Sequence, residues 1–144
     1  MSAELHNLQT RKNIGKAKGL LHSLVPRSQC FCFYDNESQC IWSSDGADDY
    51  EIDNFVADLP DEVIASAEAE NTHIRRTLNS GRTLLLLPVR TDSGKRLGVL
   101  IAVFSRNAGK SSSFNPQMLA EILRPAVDLI GERLIIGRQL ELAE

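Results

Sequence analysis

Three cysteines, close together in the sequence, are the residues best suited by type to do chemistry. If Cys30, Cys32 and Cys40 lie on paired strands, thiol exchange between Cys40 and either of the others is geometrically conceivable. Cysteines on apolar strands are, however, more often inert core thiols. The strand spacing of Cys30 and Cys32, without a fourth ligand nearby, also argues against a metal site. We therefore predict no catalytic residue and no metal site; the histidines are scattered, at His6, His22 and His73.

Charge is divided into two adjoining blocks. Residues 45–70 contain ten Asp or Glu and no Lys or Arg, whereas residues 72–110 contain eight Lys or Arg and a single acid, Asp92. One interpretation is that acidic helices lie across basic strands, with each exposed pair contributing about 0–1 kcal/mol. The other is a basic cleft that binds an anion. The first interpretation is preferred, and the second stays open.

The overall composition is that of a globular protein. Apolar residues make up 42%, charged residues 24%, and the formal net charge is −3. A mildly acidic chain argues against a nucleic-acid partner, because phosphate neutralisation needs clustered Lys and Arg. The N-terminus has no apolar signal region, and no apolar run reaches the roughly 18–20 residues of a membrane span. We expect a cytoplasmic protein with reduced thiols, bound neither to nucleic acid nor to a membrane.

Two six-residue apolar runs, Leu84–Val89 and Val99–Phe104, have the length and composition of buried strands. Asp92-Ser93-Gly94 between them predicts a hairpin near the middle of a sheet. The expected elements form one domain over residues 1–144. They are an N-terminal helix at 4–25, a sheet at 28–110 with an acidic helical insert at 47–70, and a C-terminal helix at 115–143.

Alternation along the strands predicted at residues 29–35 and 72–79 indicates which side chains share a face of the sheet. Cys30, Cys32 and Tyr34 should lie on one face of the sheet, and Phe31 and Phe33 on the other. In the same way, Arg76 should share a face with the two apolar residues that flank it, at positions 74 and 78. An inward-pointing arginine would then need a partner, either a carboxylate from the acidic helices or an anionic ligand.

The C-terminal helix has more apolar residues than one face can hold. Asn115 is the expected N-cap and Pro116 the first helical residue, and 28 residues would span about 40 Å. One face can pack on the sheet, and the surplus predicts a helical dimer seam that involves both terminal helices. The predicted interface residues are Leu8, Leu123, Val127, Ile130, Leu134 and Ile136.

A strand predicted at residues 72–79 precedes the central hairpin, and this three-strand meander carries a recognisable motif. Leu87-Pro-Val-Arg-Thr-Asp-Ser-Gly94, followed by Leu97-Gly-Val-Leu-Ile101, resembles the recurring hairpin of GAF domains. The resemblance covers roughly residues 10–137 and is to the GAF domains that precede GGDEF, EAL or histidine-kinase modules in bacteria. It implies an α+β fold: a twisted antiparallel sheet of five or six strands, with long terminal helices on one face. Short helices and a small-molecule pocket would lie on the other face.

The resemblance also implies a function. We expect a non-enzymatic small-molecule-sensing and dimerisation domain of a bacterial signalling protein. It would regulate a cyclic-di-GMP or kinase output module, located on the same polypeptide or on a partner. No cofactor is predicted, and the ligand would be an unidentified small molecule. The candidate pocket residues are Tyr34, Trp42 and Arg76.

Two alternatives remain. The pocket could be filled by side chains, which would leave a constitutive dimerisation module. The chain could instead be a thiol enzyme similar to free methionine-R-sulfoxide reductases, although the cysteines of those enzymes lie farther along the domain. The sequence lacks the N-K-x-x-x-F-x-x-x-D-E signature of phosphodiesterase-type GAF domains and the Cys-His pair of bilin-binding ones.

Overall fold

The structure is a computed structural model that describes residues 12–46, 49–91, 93–109 and 114–143, with the backbone alone for 109 and 135–143. After the first helix come two strands, two short helices, three strands and a long helix, which matches the predicted sheet with its helical insert; a four-residue helix also lies between the last strand and the long helix. The helices are α1 Lys18–Leu24, α2 Tyr50–Asp58, α3 Asp61–Ala69, α4 Arg106–Gly109 and α5 Pro116–Ala143. The strands are β1 Cys30–Asp35, β2 Cys40–Ser43, β3 Ile74–Thr77, β4 Thr83–Arg90 and β5 Arg96–Phe104.

The five strands form one antiparallel sheet in the order β2-β1-β5-β4-β3. The two strands with continuous apolar runs, β4 and β5, lie next to each other, and β5 is central. Both are buried on both faces, because helices cover each side of the sheet. Gly94 has a φ of 89° in the turn between them, a conformation that glycine adopts without strain. The predicted α+β fold and central hairpin are confirmed.

Gly98 has a steric role in the meander motif. It lies on β5 opposite Asp35 of β1, where the two backbones approach closely. A Cβ atom at this position would lie 2.3 Å from the carbonyl oxygen of Tyr34 and 2.7 Å from the Phe33 ring. The local packing therefore requires glycine here.

The sheet separates two hydrophobic cores. One core joins the face that carries Phe31, Phe33 and Leu100 to the terminal helices, and it includes Leu21 and Leu123. The other joins the opposite face, which carries Cys30, Cys32 and Tyr34, to α2 and α3 through the buried residues Ile52, Val56 and Ala67. The alternation predicted for β1 is therefore confirmed, and the terminal helices share one face of the sheet.

The N-terminal helix departs from the prediction of an unbroken helix at 4–25. Residues 12–15 are helical, residues 16–17 form a turn, and helix α1 then begins at Lys18; residues 4–11 lie outside the described part of the chain. The other helix starts follow local chemistry. Asp49 accepts a hydrogen bond from the Ile52 amide at the start of α2, and Asn115 accepts one from the Met118 amide at the start of α5.

Within the described residues, no helix has both the length and the apolar character that a membrane span requires.

Candidate functional site

The space between the sheet and the two short helices is where the sequence predicts a ligand pocket. Large side chains occupy it: Tyr34 is 1% exposed, and Ile52, Leu84 and Ile101 are fully buried in the same cluster. The Tyr34 hydroxyl donates a hydrogen bond to the Asp53 carboxylate on α2. Burial, reinforced by this hydrogen bond, raises the pKa of Tyr34. Tyr34 therefore anchors α2 to the sheet and closes the region that a ligand would need.

Arg82 joins the start of α2 to the turn between β3 and β4. Its guanidinium lies 2.6 Å from Asp49 and 2.7 Å from Glu51, and Ser80 donates its hydroxyl to Glu51 at 2.6 Å. The hydrogen bond from Arg82 lowers the pKa of Asp49. Bonds from Ser80 and then Arg82 lower that of Glu51. All four side chains are satisfied within this network, which fixes the helix on the strands.

Arg96 makes the corresponding connection to α3. Its guanidinium pairs with Asp61 and lies 2.8 Å from Glu68. A cavity of about 110 Å³ adjoins it, bounded by the β1–β2 turn and both short helices. That volume is below the about 300–1,000 Å³ of typical small-molecule sites, and the bordering arginine is already paired. Together with Arg82, this arrangement confirms that acidic helices lie across basic strands.

The three predicted pocket residues are not brought together. Tyr34 lies on the α2–α3 face of the sheet, whereas Trp42 packs against the core under the terminal helices. Arg76 is exposed, and its guanidinium donates to the carbonyl oxygen of Arg75. The prediction that Arg76 points inward is wrong, because β3 is an edge strand from which a long side chain can reach solvent.

The cysteines offer little access for chemistry. Cys30 and Cys32 are 4% and 3% exposed, while Cys40 is exposed on the edge strand β2. A hydrogen bond with Cys30, reinforced by burial, raises the pKa of Cys32; the same bond lowers that of Cys30. Cys40 pairs with Tyr34 in register. It is thus diagonal to Cys32, and such neighbours lie about 7–8 Å apart, beyond the usual span of a disulfide.

No group of three metal-ligating side chains occurs within the described residues.

The predicted dimer residues on α5 face the protein's own core. Leu123, Val127, Ile130 and Leu134 are each at most 4% exposed and pack on the sheet. Assigning them to a dimer seam is therefore wrong, because a partner cannot reach them in the folded chain. Leu8 lies outside the described residues, as does the side chain of Ile136.

The outer face of the terminal helices carries a different apolar set. Met118, Ile122 and Leu129 on α5 are 54%, 38% and 37% exposed, and Leu20 on α1 is 41% exposed. We call these four residues the outer stripe. Spacings of four and seven place the α5 residues on one side of the helix. The spacing of these apolar residues is visible in the sequence. However, the inward-facing residues of α5 are apolar as well, so the two sets cannot be distinguished until the face that contacts the sheet is known.

The Arg82 network predicts a pH-dependent effect on stability. Arg82→Gln should lower the free energy of unfolding by about 1 kcal/mol near pH 7, because the pairs are only partly buried. Both carboxylates have folded-state pKa values below their ordinary values of 3.8 and 4.5. Their contribution is therefore present above those values and is lost as the pH falls through the folded ones.

Urea denaturation of wild type and Arg82→Gln at about pH 7 and about pH 3 measures this difference. The gap between the two proteins should shrink in acid. Arg76→Gln is the matched control, because Arg76 is exposed and has no ion-pair partner among the described residues. A gap that stays constant with pH would show that the two carboxylates are not the source.

The architecture defines the class of fold: a five-stranded antiparallel sheet with the terminal helices on one face and two short helices on the other, as in GAF domains. Across 92% of this chain, it superposes on 95% of the GAF domain/HD domain protein from Geobacter sulfurreducens, with a TM-score of 0.60 and 15% identity.

Two further solved structures share the fold. The type II free methionine-R-sulfoxide reductase from Thermoplasma acidophilum has a TM-score of 0.56 and 14% identity, over 90% of this chain and 94% of that one. Myxococcus xanthus MglB has a TM-score of 0.55 and 13% identity, over 88% and 90%. No protein-family model and no curated protein matches the sequence. With identities this low, the structural similarity establishes only the fold. The activity must therefore be argued from the residues of this chain.

Proposed function

We propose that this GAF-fold chain is a non-enzymatic dimerisation module of a signal-transduction protein, and that the space between its sheet and the short helices α2 and α3 is filled by side chains. The observation that carries the proposal is the outer stripe on the terminal helices, combined with a packed space under α2 and α3. Of the functions that the sequence suggests, this arrangement favours the filled module over a sensor with a ligand beneath the short helices.

A second copy of the same chain is the partner that fits the outer stripe. Three exposed lysines lie at the N-terminal end, at Lys12, Lys16 and Lys18, whereas the described part of α5 exposes three acids, Glu121, Asp128 and Glu132, and one base, Arg133. No ion pair joins these two groups within the described part of the chain. In a two-fold dimer, the N-terminal lysines of one protomer can face carboxylates on α5 of the other, since the same patch serves both sides.

Helix α5 provides most of the area of the proposed interface. It has 28 residues, and it lies beside the seven-residue α1 on the same face of the sheet. A helix of 28 residues spans about 42 Å and is about 10 Å wide, and α1 adds about 10 Å of helix beside it. The resulting patch of roughly 500 Å² per protomer, about 1,000 Å² over both partners, lies at the low end of specific interfaces. The proposed output module, on the same polypeptide or on a partner, would respond to the arrangement of these helices.

Charge inserted into the outer stripe tests the proposal. Leu129→Glu should weaken dimerisation about thirtyfold or more, because burying an unpaired carboxylate at an apolar contact is costly. Sedimentation equilibrium over a range of protein concentrations measures the dissociation constant. Circular dichroism should show an unchanged fold, since Leu129 is 37% exposed.

Ala65→Glu is the matched control, because it adds the same charge at an exposed position of α3, on the opposite side of the sheet. It should leave the dissociation constant unchanged. If Leu129→Glu associates as tightly as wild type, or if Ala65→Glu weakens association equally, the interface does not lie on the outer stripe.

A further inference from the structure

A polar cleft lies at the edge of the sheet, between the loop that precedes β3 and the first turns of α5. It encloses about 290 Å³ and is bordered by Asn71 and His73 on one side and by Gln117, Glu121 and Arg124 on the other. It is separate from the packed space under α2 and α3, and from the outer stripe. Its volume is close to the lower limit of small-molecule sites.

His73, which borders the cleft, has an unsatisfied buried nitrogen. His73 Nδ1 is buried and has no hydrogen-bond partner among the described residues. Buried polar atoms of this kind are uncommon in folded proteins, and each requires an explanation. Burial, together with the nearby charges of Arg124 and Arg75, lowers the pKa of His73. The neutral ring has one N–H, which can reside on either ring nitrogen.

Two arginines, Arg124 and Arg75, lie close enough to act on the charge of His73. Arg124 donates one hydrogen bond, of 3.1 Å, to the Asn71 carbonyl oxygen, and a guanidinium has five N–H donors in all. Arg75 lies over the Phe114 ring, 5.4 Å from its centroid. Within the described residues, neither arginine forms an ion pair. The carboxylate at the cleft, Glu121, accepts a hydrogen bond of 3.3 Å from Gln117.

We infer that this cleft binds a small oxyanion, a phosphate or carboxylate group, between the Arg124 guanidinium and the His73 ring. Charge-assisted hydrogen bonds from a planar guanidinium are the usual means by which proteins hold such groups. The two arginines here contrast with Arg82 and Arg96, whose guanidinium groups are occupied by carboxylates. The inference does not depend on dimerisation, and its test has a separate readout.

The test is an NMR titration of the His73 ring signals at constant pH and ionic strength. Inorganic phosphate is the probe in one arm and acetate in the other. A saturable shift with phosphate alone identifies a phosphate group as the ligand chemistry. Saturation with acetate alone identifies a carboxylate, and saturation with both identifies an oxyanion in general. Signals that neither anion moves in a saturable way overturn the inference.

Two variants locate the binding on the cleft. Arg124→Gln should weaken binding of the anion about tenfold or more. Arg75 does not border the cleft, but its charge acts on His73, so Arg75→Gln should also weaken binding; because Arg75 is exposed, the substitution cannot open the core. Arg76→Gln removes a charge from the same strand, but Arg76 is not among the charges that act on His73, so this variant should bind as wild type does. Equal weakening in Arg76→Gln, or wild-type binding in both Arg124→Gln and Arg75→Gln, would overturn the inference.

Discussion

Leu123→Ala should lower the free energy of unfolding by about 2–5 kcal/mol. Leu123 is fully buried, in the core between α5 and the sheet. Replacing it with alanine removes apolar contacts and leaves a cavity that surrounding side chains can fill only in part. Urea denaturation measures the loss.

Ile122→Ala is the matched control for this prediction. Ile122 is the preceding residue on the same helix, but it is 38% exposed on the outer stripe. In the isolated protomer, its replacement should cost less than about 1 kcal/mol. Both variants must be compared at protein concentrations below the dimer dissociation constant, so that assembly does not add to the apparent stability. Equal losses in the two variants would contradict the assignment of faces on α5.

Gly131→Ala should destabilise the protein by about 1–3 kcal/mol, although alanine is the better helix former. Gly131 lies where α5 approaches the end of β4. A Cβ atom there would lie 2.5 Å from the carbonyl oxygen of Arg90. Because that obstacle is backbone, relief requires the whole helix or strand to move.

Gly19→Ala should change the free energy of unfolding in the opposite direction. Gly19 lies in α1, and a Cβ atom there would meet no other atom within 4 Å. The substitution should therefore stabilise the protein by up to about 1 kcal/mol, the ordinary gain in a helix. Thermal or urea unfolding of the two variants gives both signs in one experiment. A stabilising Gly131→Ala would show that α5 does not pack closely on β4.

Local pattern was sufficient to predict the central hairpin and the two faces of β1. The apolar runs that became β4 and β5 are uninterrupted because both faces of the central strands are covered. The alternation in Cys30–Tyr34 predicted which face each side chain takes, since the period of a strand is two residues. Asn115 could be placed at a helix start because N-capping is local chemistry.

The faces of α5 and the position of Arg76 depend on information that the sequence does not contain. Apolar residues of α5 lie around much of its circumference. Contact with the sheet therefore decides that Leu123 is buried and that Leu129 is exposed. The alternation of side chains along β3 predicted that Arg76 points inward. That rule assumes that helices cover the inner face of the strand along its whole length, whereas β3 is a short strand at the edge of the sheet. The cleft at His73 joins residues far apart in sequence, 73 and 124, and no local pattern predicts such a contact.

Native mass spectrometry of the wild-type chain tests the central claim most directly, because it reports assembly and bound molecules together. The proposal predicts a mass of twice 16.0 kDa, with no organic molecule retained in the packed interior. A mass of 16.0 kDa at all concentrations would contradict dimerisation through the terminal helices. A dimer that carries a stoichiometric organic ligand would contradict the filled interior and restore the sensing function.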